Sequence, residues 1–137
     1  MKRAVHSTER EAAEREALRR RVKQFYRRFN KADWDDCYAR IDPLLTQQDK
    51  VKRDAYAALM QAFKDAYGSV KLRWTRLSLH LKAAPKQSDR RPFAYAYLVW
   101  QDDAHGYHMF RERWVKNNGE WFTGVVGLVP HKQELAS

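Results

Sequence analysis

The most constraining stretch of the chain is Pro92 to Leu128, PFAYAYLVWQDDAHGYHMFRERWVKNNGEWFTGVVGL, where apolar and polar residues alternate between two groups of turn residues. Alternation with period two describes strands that bury one face, and Gln101 to Gly106 and Asn117 to Gly119 fall where hairpin turns belong. The stretch predicts three consecutive antiparallel strands, at about 93–101, 106–117 and 120–129. It also holds half of the aromatic residues of the chain, so the core has to be built on it.

A two-residue turn at Asn118 and Gly119 pairs Lys116 with Trp121, Val115 with Phe122, Trp114 with Thr123, Glu112 with Val125 and Arg111 with Val126. Strand parity then separates two faces. One carries Phe110, Glu112, Trp114, Trp121, Thr123 and Val125 and, if the turn before Tyr107 keeps the register, His108, Trp100, Leu98, Ala96 and Ala94. The other carries Met109, Arg111, Arg113, Val115, Phe122 and Val126, joined on the same register by Phe93, Tyr95, Tyr97 and Val99. The small Ala94 and Ala96 leave room for close packing, which assigns the first face to the helices.

Those helices come earlier in the chain. Thr8 and Glu11 have the spacing of a capping box, and Leu18, Val22, Phe25 and Phe29 then recur on one helical stripe. The remaining faces of this helix carry Arg19, Arg20, Arg21, Lys23, Arg27, Arg28 and Lys31, with no acid between Ala17 and Ala32. Asp33 caps a short second helix bearing Trp34, Cys37, Tyr38 and Ile41, which Pro43 limits. A third helix starts at Thr46 or Asp49, places Val51, Ala55, Ala58, Leu59, Ala62, Phe63 and Ala66 on one stripe, and ends at Gly68. From Val70 the period moves toward two. Leu77, Leu79 and Leu81 form the buried row of a first strand, and the opposite phase of Leu72 and Trp74 predicts a bulge near Thr75 or Arg76. Three helices followed by a four-stranded antiparallel meander describe an α+β domain with helices on one sheet face.

Composition adds bounds. The 137 residues suit one domain, with residues 1–7 and 130–137 expected to be flexible ends. Cys37 is the only cysteine, no apolar run approaches the roughly 20 residues that span a bilayer, and the first residues lack an apolar signal region. These features suggest a reducing compartment such as the cytoplasm. The net charge of +10 is uneven: residues 1–31 carry 11 Lys and Arg against 4 Glu, residues 32–70 carry 5 against 7 Asp, and residues 71–137 carry 11 against 6 acids. Such a field favours anionic partners, nucleic acid or membrane surface among them.

Two segments carry a family resemblance. FYRRFNKADWDDCYARIDPLL, Phe25 to Leu45, resembles the start of nuclear transport factor 2-like domains, and RERWVKNNGEWFTGVV, Arg111 to Val126, resembles their closing hairpin. The resemblance implies a curved sheet wrapped over the long helix as a cone with a pocket, dimeric through the outer sheet face. Relatives of this kind include isomerases, dehydratases, cyclases and non-catalytic binding or assembly domains. The chain departs from the enzymes in one respect. Between its second and third helices it has only Asp42 to Gln48, too short for the strand hairpin that often carries their catalytic acid or base.

Glu112 is the one carboxylate on the helix-facing row. A carboxyl there has a raised pKa unless a partner holds it, and His108 and His80 are its candidate partners in proton transfer. Trp34, Tyr38, Trp100, Phe110, Glu112 and Trp114 are the expected lining of a small-molecule pocket. Tyr95, Tyr97, Arg111, Arg113 and Phe122 are the expected homodimer interface, since these residue types are enriched at such surfaces. His105 and His108 have no further ligands in the pattern, so neither a metal nor another cofactor is expected. The leading expectation is a non-catalytic ligand-binding or assembly domain. Its competitors are a proton-transfer enzyme, and an anionic-partner binder acting through the basic first helix and the loop from Lys82 to Arg91.

Overall fold

The computed structural model of the chain describes residues 2–48, 51–82 and 90–124, and the side chains of all of these except residues 2–8 and Trp74. The expected pairings of Val125 and Val126, the expected tail at 130–137 and most of the loop from Lys82 to Arg91 lie outside the described residues. In order, the elements are α1 (Lys2–Asn30), α2 (Trp34–Ala39), α3 (Pro43–Thr46), α4 (Arg53–Tyr67), β1 (Lys71–His80), β2 (Phe93–Gln101), β3 (Tyr107–Asn117) and β4 (Glu120–Thr123). The strands form one curled antiparallel sheet in the order β1-β2-β3-β4, with the helices on its concave face. This is the expected α+β, cone-like arrangement.

Helix α1 begins at Lys2, not at a Thr8 cap. The residues before Thr8 include good helix formers, and a capping box marks a start only where the backbone leaves the helix. The stripe Leu18, Val22, Phe25 and Phe29 is buried as its spacing requires, and Tyr26 joins it. Fully burying side chains of this size stabilises a fold by roughly 1.5–3 kcal/mol each. Asp33 caps α2 by accepting from the Asp36 N–H. Asp42 then caps the single extra turn of α3, with Pro43 at its first position.

Helix α4 corrects the expected alanine stripe. Its buried residues are Tyr56, Met60 and Phe63, whereas Ala55, Ala58, Ala62 and Ala66 are exposed and Leu59 is 48% exposed. Both stripes include Phe63, and the one with Tyr56 and Met60 removes far more apolar area from water. Gly68 ends the helix with φ 76°, as expected, and the Asp103 carboxylate lies so close that a Cβ on Gly68 would collide with it.

The sheet registers agree with strand parity. Trp114 pairs with Thr123, Val115 with Phe122 and Lys116 with Trp121 across a turn in which Asn118 (φ 51°) and Gly119 (φ 85°) both take the left-handed conformation. On the other side of β3, Glu112 pairs with Ala96 and Trp114 with Ala94, so a small residue stands opposite each bulky one. The register shift in β1 falls between Leu72 and Trp74, a few residues earlier than expected. Beyond β4, Ile41 bridges Thr123 in parallel, which ties the link between α2 and α3 to the sheet. The core joins α1 to α4 and the sheet through aromatic edges, including Phe25 on Trp114, Phe29 on Phe63 and Phe63 on Trp100. Among the described residues, no helix is long and apolar enough to cross a membrane.

Candidate functional site

Glu112 sits at the centre of the helix-facing row of β3, 2% exposed. One carboxylate oxygen accepts from the Tyr26 hydroxyl of α1, and the other accepts from the Trp114 indole N–H at 3.1 Å. Burial pushes the Glu112 carboxyl up to about 7, against the opposing effect of these two donors. Burial also raises Tyr26 well above its ordinary value, and the Glu112 charge and hydrogen bond add to that rise. With both oxygens occupied by neutral donors, the carboxylate ties α1 to β3 across 86 residues of chain.

The histidines expected to partner it lie elsewhere. His80 is exposed on the outer face, stacked on Phe93 at 4.7 Å. His108 shares the Glu112 row but lies four residues along β3, about 13 Å at strand rise. There its Nε2 bonds Asp102 at 2.6 Å, and its ring stacks on Trp100 at 4.4 Å. The structure therefore assembles no Glu112–His pair, because parity puts one histidine outside and the Asp102 turn captures the other. Asp102 also accepts from the Gly106 N–H, so its ring of contacts closes the turn from β2 to β3.

The residues expected to line a pocket are packed instead. Trp100 and Trp114 are 0% exposed, Trp34 donates to Gln61, and Tyr38 donates to the Val51 carbonyl. Bulky side chains pack together at this depth, and Phe110 borders a shallow hollow on the outer side of the sheet. Cys37 is enclosed as well, and burial, with Asp36 and Asp33 adding, pushes its thiol up to about 12. Among the described residues, no group of three His, Cys, Asp or Glu side chains stands together as a metal site would require.

A hollow of about 560 Å³ opens between α1 and β1. One wall is a face of α1 made by Arg19, Lys23, Tyr26, Arg27 and Asn30, and the other is Val70, Leu72, Arg73 and Thr75. The spacing of Arg19, Lys23 and Arg27 repeats every four residues, which stacks them along about 12 Å of helix. No carboxylate lines the hollow, and none of these three cations has an ion pair or hydrogen bond among the described residues.

Other cations of α1 are committed to the fold. Arg15 donates to the Leu77 carbonyl and Arg21 to the Trp121 carbonyl, while Arg28 lies 3.8 Å from both Asp33 and Asp36. Arg73 is held by Gln101 at 2.8 and 3.1 Å, and Asn30 clamps Val70 through both its N–H and its carbonyl. The sequence marks α1 as basic without showing this division, which depends on what each helical face meets. Tyr26 was missed for a related reason: it follows Phe25 directly, where a single stripe has no place for it.

The outer face carries the residues expected at a dimer interface. Arg76 lies over Tyr97 at 4.4 Å, Arg111 over Tyr95 at 5.1 Å and Arg113 over Phe93 at 4.6 Å. Phe122 meets Arg21 at 5.4 Å. Comparison with protein-family models, curated proteins and solved structures finds no significant match to the chain.

Proposed function

We propose that this chain is a non-catalytic binding domain of the nuclear transport factor 2-like kind, and that it takes an anionic ligand into the groove between α1 and β1. The observation that carries this reading is the row of Arg19, Lys23 and Arg27 along a hollow of about 560 Å³, where among the described residues the three cations are unpaired and no acid lines the walls. Like charges four residues apart destabilise a helix by a few tenths of a kcal/mol per pair. A bound anion would relieve that repulsion and accept charge-assisted hydrogen bonds worth roughly 1.5–3 kcal/mol each. The reach of the row fits a ligand with several negative groups spread over about 12 Å. A reducing compartment such as the cytoplasm fits the lone, enclosed thiol of Cys37.

Proton-transfer catalysis is the second reading. One observation favours it: Tyr26 borders the hollow and is bonded to a carboxyl raised to about 7, the range of a general base. Against it, both Glu112 oxygens already accept hydrogen bonds, and neither His80 nor His108 reaches them. The proposal does not extend to a homodimer through the outer face. Self-association would set this arginine-bearing patch against a copy of itself, with no carboxylate in the β1–β3 outer rows to pair Arg76, Arg111 and Arg113.

Calorimetric titration with inorganic tripolyphosphate tests the reading. The wild-type chain should bind, and replacing Arg19, Lys23 and Arg27 together by serine should weaken binding at least about tenfold. Equal affinity in the two proteins would contradict it.

A further inference from the structure

The outer face of the sheet lies away from this groove and is a separate surface. Its two ends differ. Near Phe93 and Val115 it is closed, with those residues 7% and 0% exposed. At the other end it is open, with Tyr107 60% and Met109 52% exposed. There a shallow hollow of about 270 Å³ is lined by Tyr97, Val99 and Met109 and flanked by Arg76 and Arg111. Register makes this a small lattice: Arg76 pairs with Tyr97, Tyr97 with Arg111, Val99 with Met109, and Gln101 with Tyr107. The outward rows of β1, β2 and β3 contain no carboxylate.

We propose that this open end binds single-stranded nucleic acid, with a base in the hollow and phosphates on Arg76 and Arg111. Charge complementarity favours an anionic occupant, because the flanking cations are exposed and, among the described residues, lie on rings with no carboxylate beside them. The hollow itself is apolar and walled by a tyrosine and guanidinium groups, surfaces on which a flat ring stacks. A nucleotide supplies ring and charge on a single unit. A duplex hides its ring faces in the base stack, which leaves the single strand as the match. A second copy of the chain would bring arginines against arginines. An acidic peptide would satisfy the arginines but has no anionic group attached to a planar ring.

Fluorescence anisotropy of the full chain with a labelled oligothymidylate of about 12 nucleotides tests this, beside an abasic strand of the same length. The oligothymidylate should bind more tightly than the abasic strand. Replacing Tyr97 by alanine and Arg111 by serine together should weaken its binding on the order of 10- to 100-fold. Replacing Arg76 and Arg111 by serine should lower the slope of log affinity against log salt by about 1.4, from roughly 0.7 per phosphate contact. The triple serine variant of Arg19, Lys23 and Arg27 should bind within about threefold of wild type, because those side chains line the groove and share no lining residue with the outer hollow.

Equal binding of the abasic strand would overturn the proposal, since no base would then be stacked. Loss of binding only in the triple variant would also overturn it, by moving the strand to the α1 groove while leaving the anionic-ligand reading intact. Displacement by polyglutamate at equal concentration would point to an acidic protein instead. A sedimenting dimer that the Tyr97 and Arg111 variant turns into monomer would assign the face to a second copy.

Discussion

The two faces of the sheet place charge in opposite ways. On the inner face a single carboxylate, Glu112, is sealed among tryptophans and held by two neutral donors. On the outer face three arginines lie on aromatic rings with no carboxylate in the neighbouring rows. Where water is excluded, the charge is costly and the group moves toward its neutral form. Where water reaches, a guanidinium keeps its charge at little cost and can lend it to a partner. The difference separates charge bonded into the fold from charge that faces solvent: the buried acid joins α1 to β3, and the exposed cations stand where the proposed ligands would meet them. The α1 helix repeats the division, with Arg15 and Arg21 bonded into the fold and Arg19, Lys23 and Arg27 left along the groove.

The largest expected effect is on the inner face. Replacing Trp114 by alanine deletes a side chain that is 0% exposed and removes a donor from Glu112, so chemical unfolding should show a loss of about 3–5 kcal/mol. A loss below about 1 kcal/mol would mean that the inner face is not the packed core described above.

A pH comparison sharpens the contrast. Because the folded Glu112 carboxyl titrates near 7 and its ordinary value is 4.5, the folded state holds this proton more tightly than the unfolded state. Its contribution to stability is complete below about pH 4.5, declines as pH rises through about 7, and is flat above that. The decline corresponds to about 3 kcal/mol. Glu112→Gln cannot ionise, and its amide can still accept from Trp114 and donate to the Tyr26 oxygen. Urea unfolding at pH 5 and pH 8 should show the variant gaining on wild type by up to about 3 kcal/mol. Parallel pH profiles would break the claim that this carboxyl is enclosed without a compensating cation.

The smallest effect belongs to the outer face. Arg111→Ala removes an exposed guanidinium from the Tyr95 ring and should change stability by less than about 1 kcal/mol. A larger loss would mean that the outer arginines are structural as well.

Much of the sheet was legible from the sequence because its turns leave little choice. Asn118 and Gly119 fix a two-residue hairpin, and parity then puts Glu112 and Trp114 inside and Arg111 and Tyr97 outside. Asp33 and Gly68 marked helix ends by local chemistry that needs no tertiary context. The buried face of α4 was not legible, since its alanines and the set Tyr56, Met60 and Phe63 both follow helical spacing and only packing chooses between them. The site was legible only in part. Glu112 stood out as an acid on an apolar row, but its partner Tyr26 is 86 residues away and no spacing rule connects the two. Of the expected pocket lining, Trp100, Glu112 and Trp114 are packed into the core, since side chains of this size reach the helices across the sheet, and a hollow lies instead between α1 and β1.

One parallel titration separates the buried acid from the groove cations that are unpaired among the described residues. Tripolyphosphate is titrated at the same pH and salt into Glu112→Gln and into the triple serine variant of Arg19, Lys23 and Arg27. The account predicts affinity within about threefold of wild type for the first and a loss of at least about tenfold for the second. Binding abolished in Glu112→Gln and retained in the triple variant would contradict it, and would make the buried carboxyl the functional group.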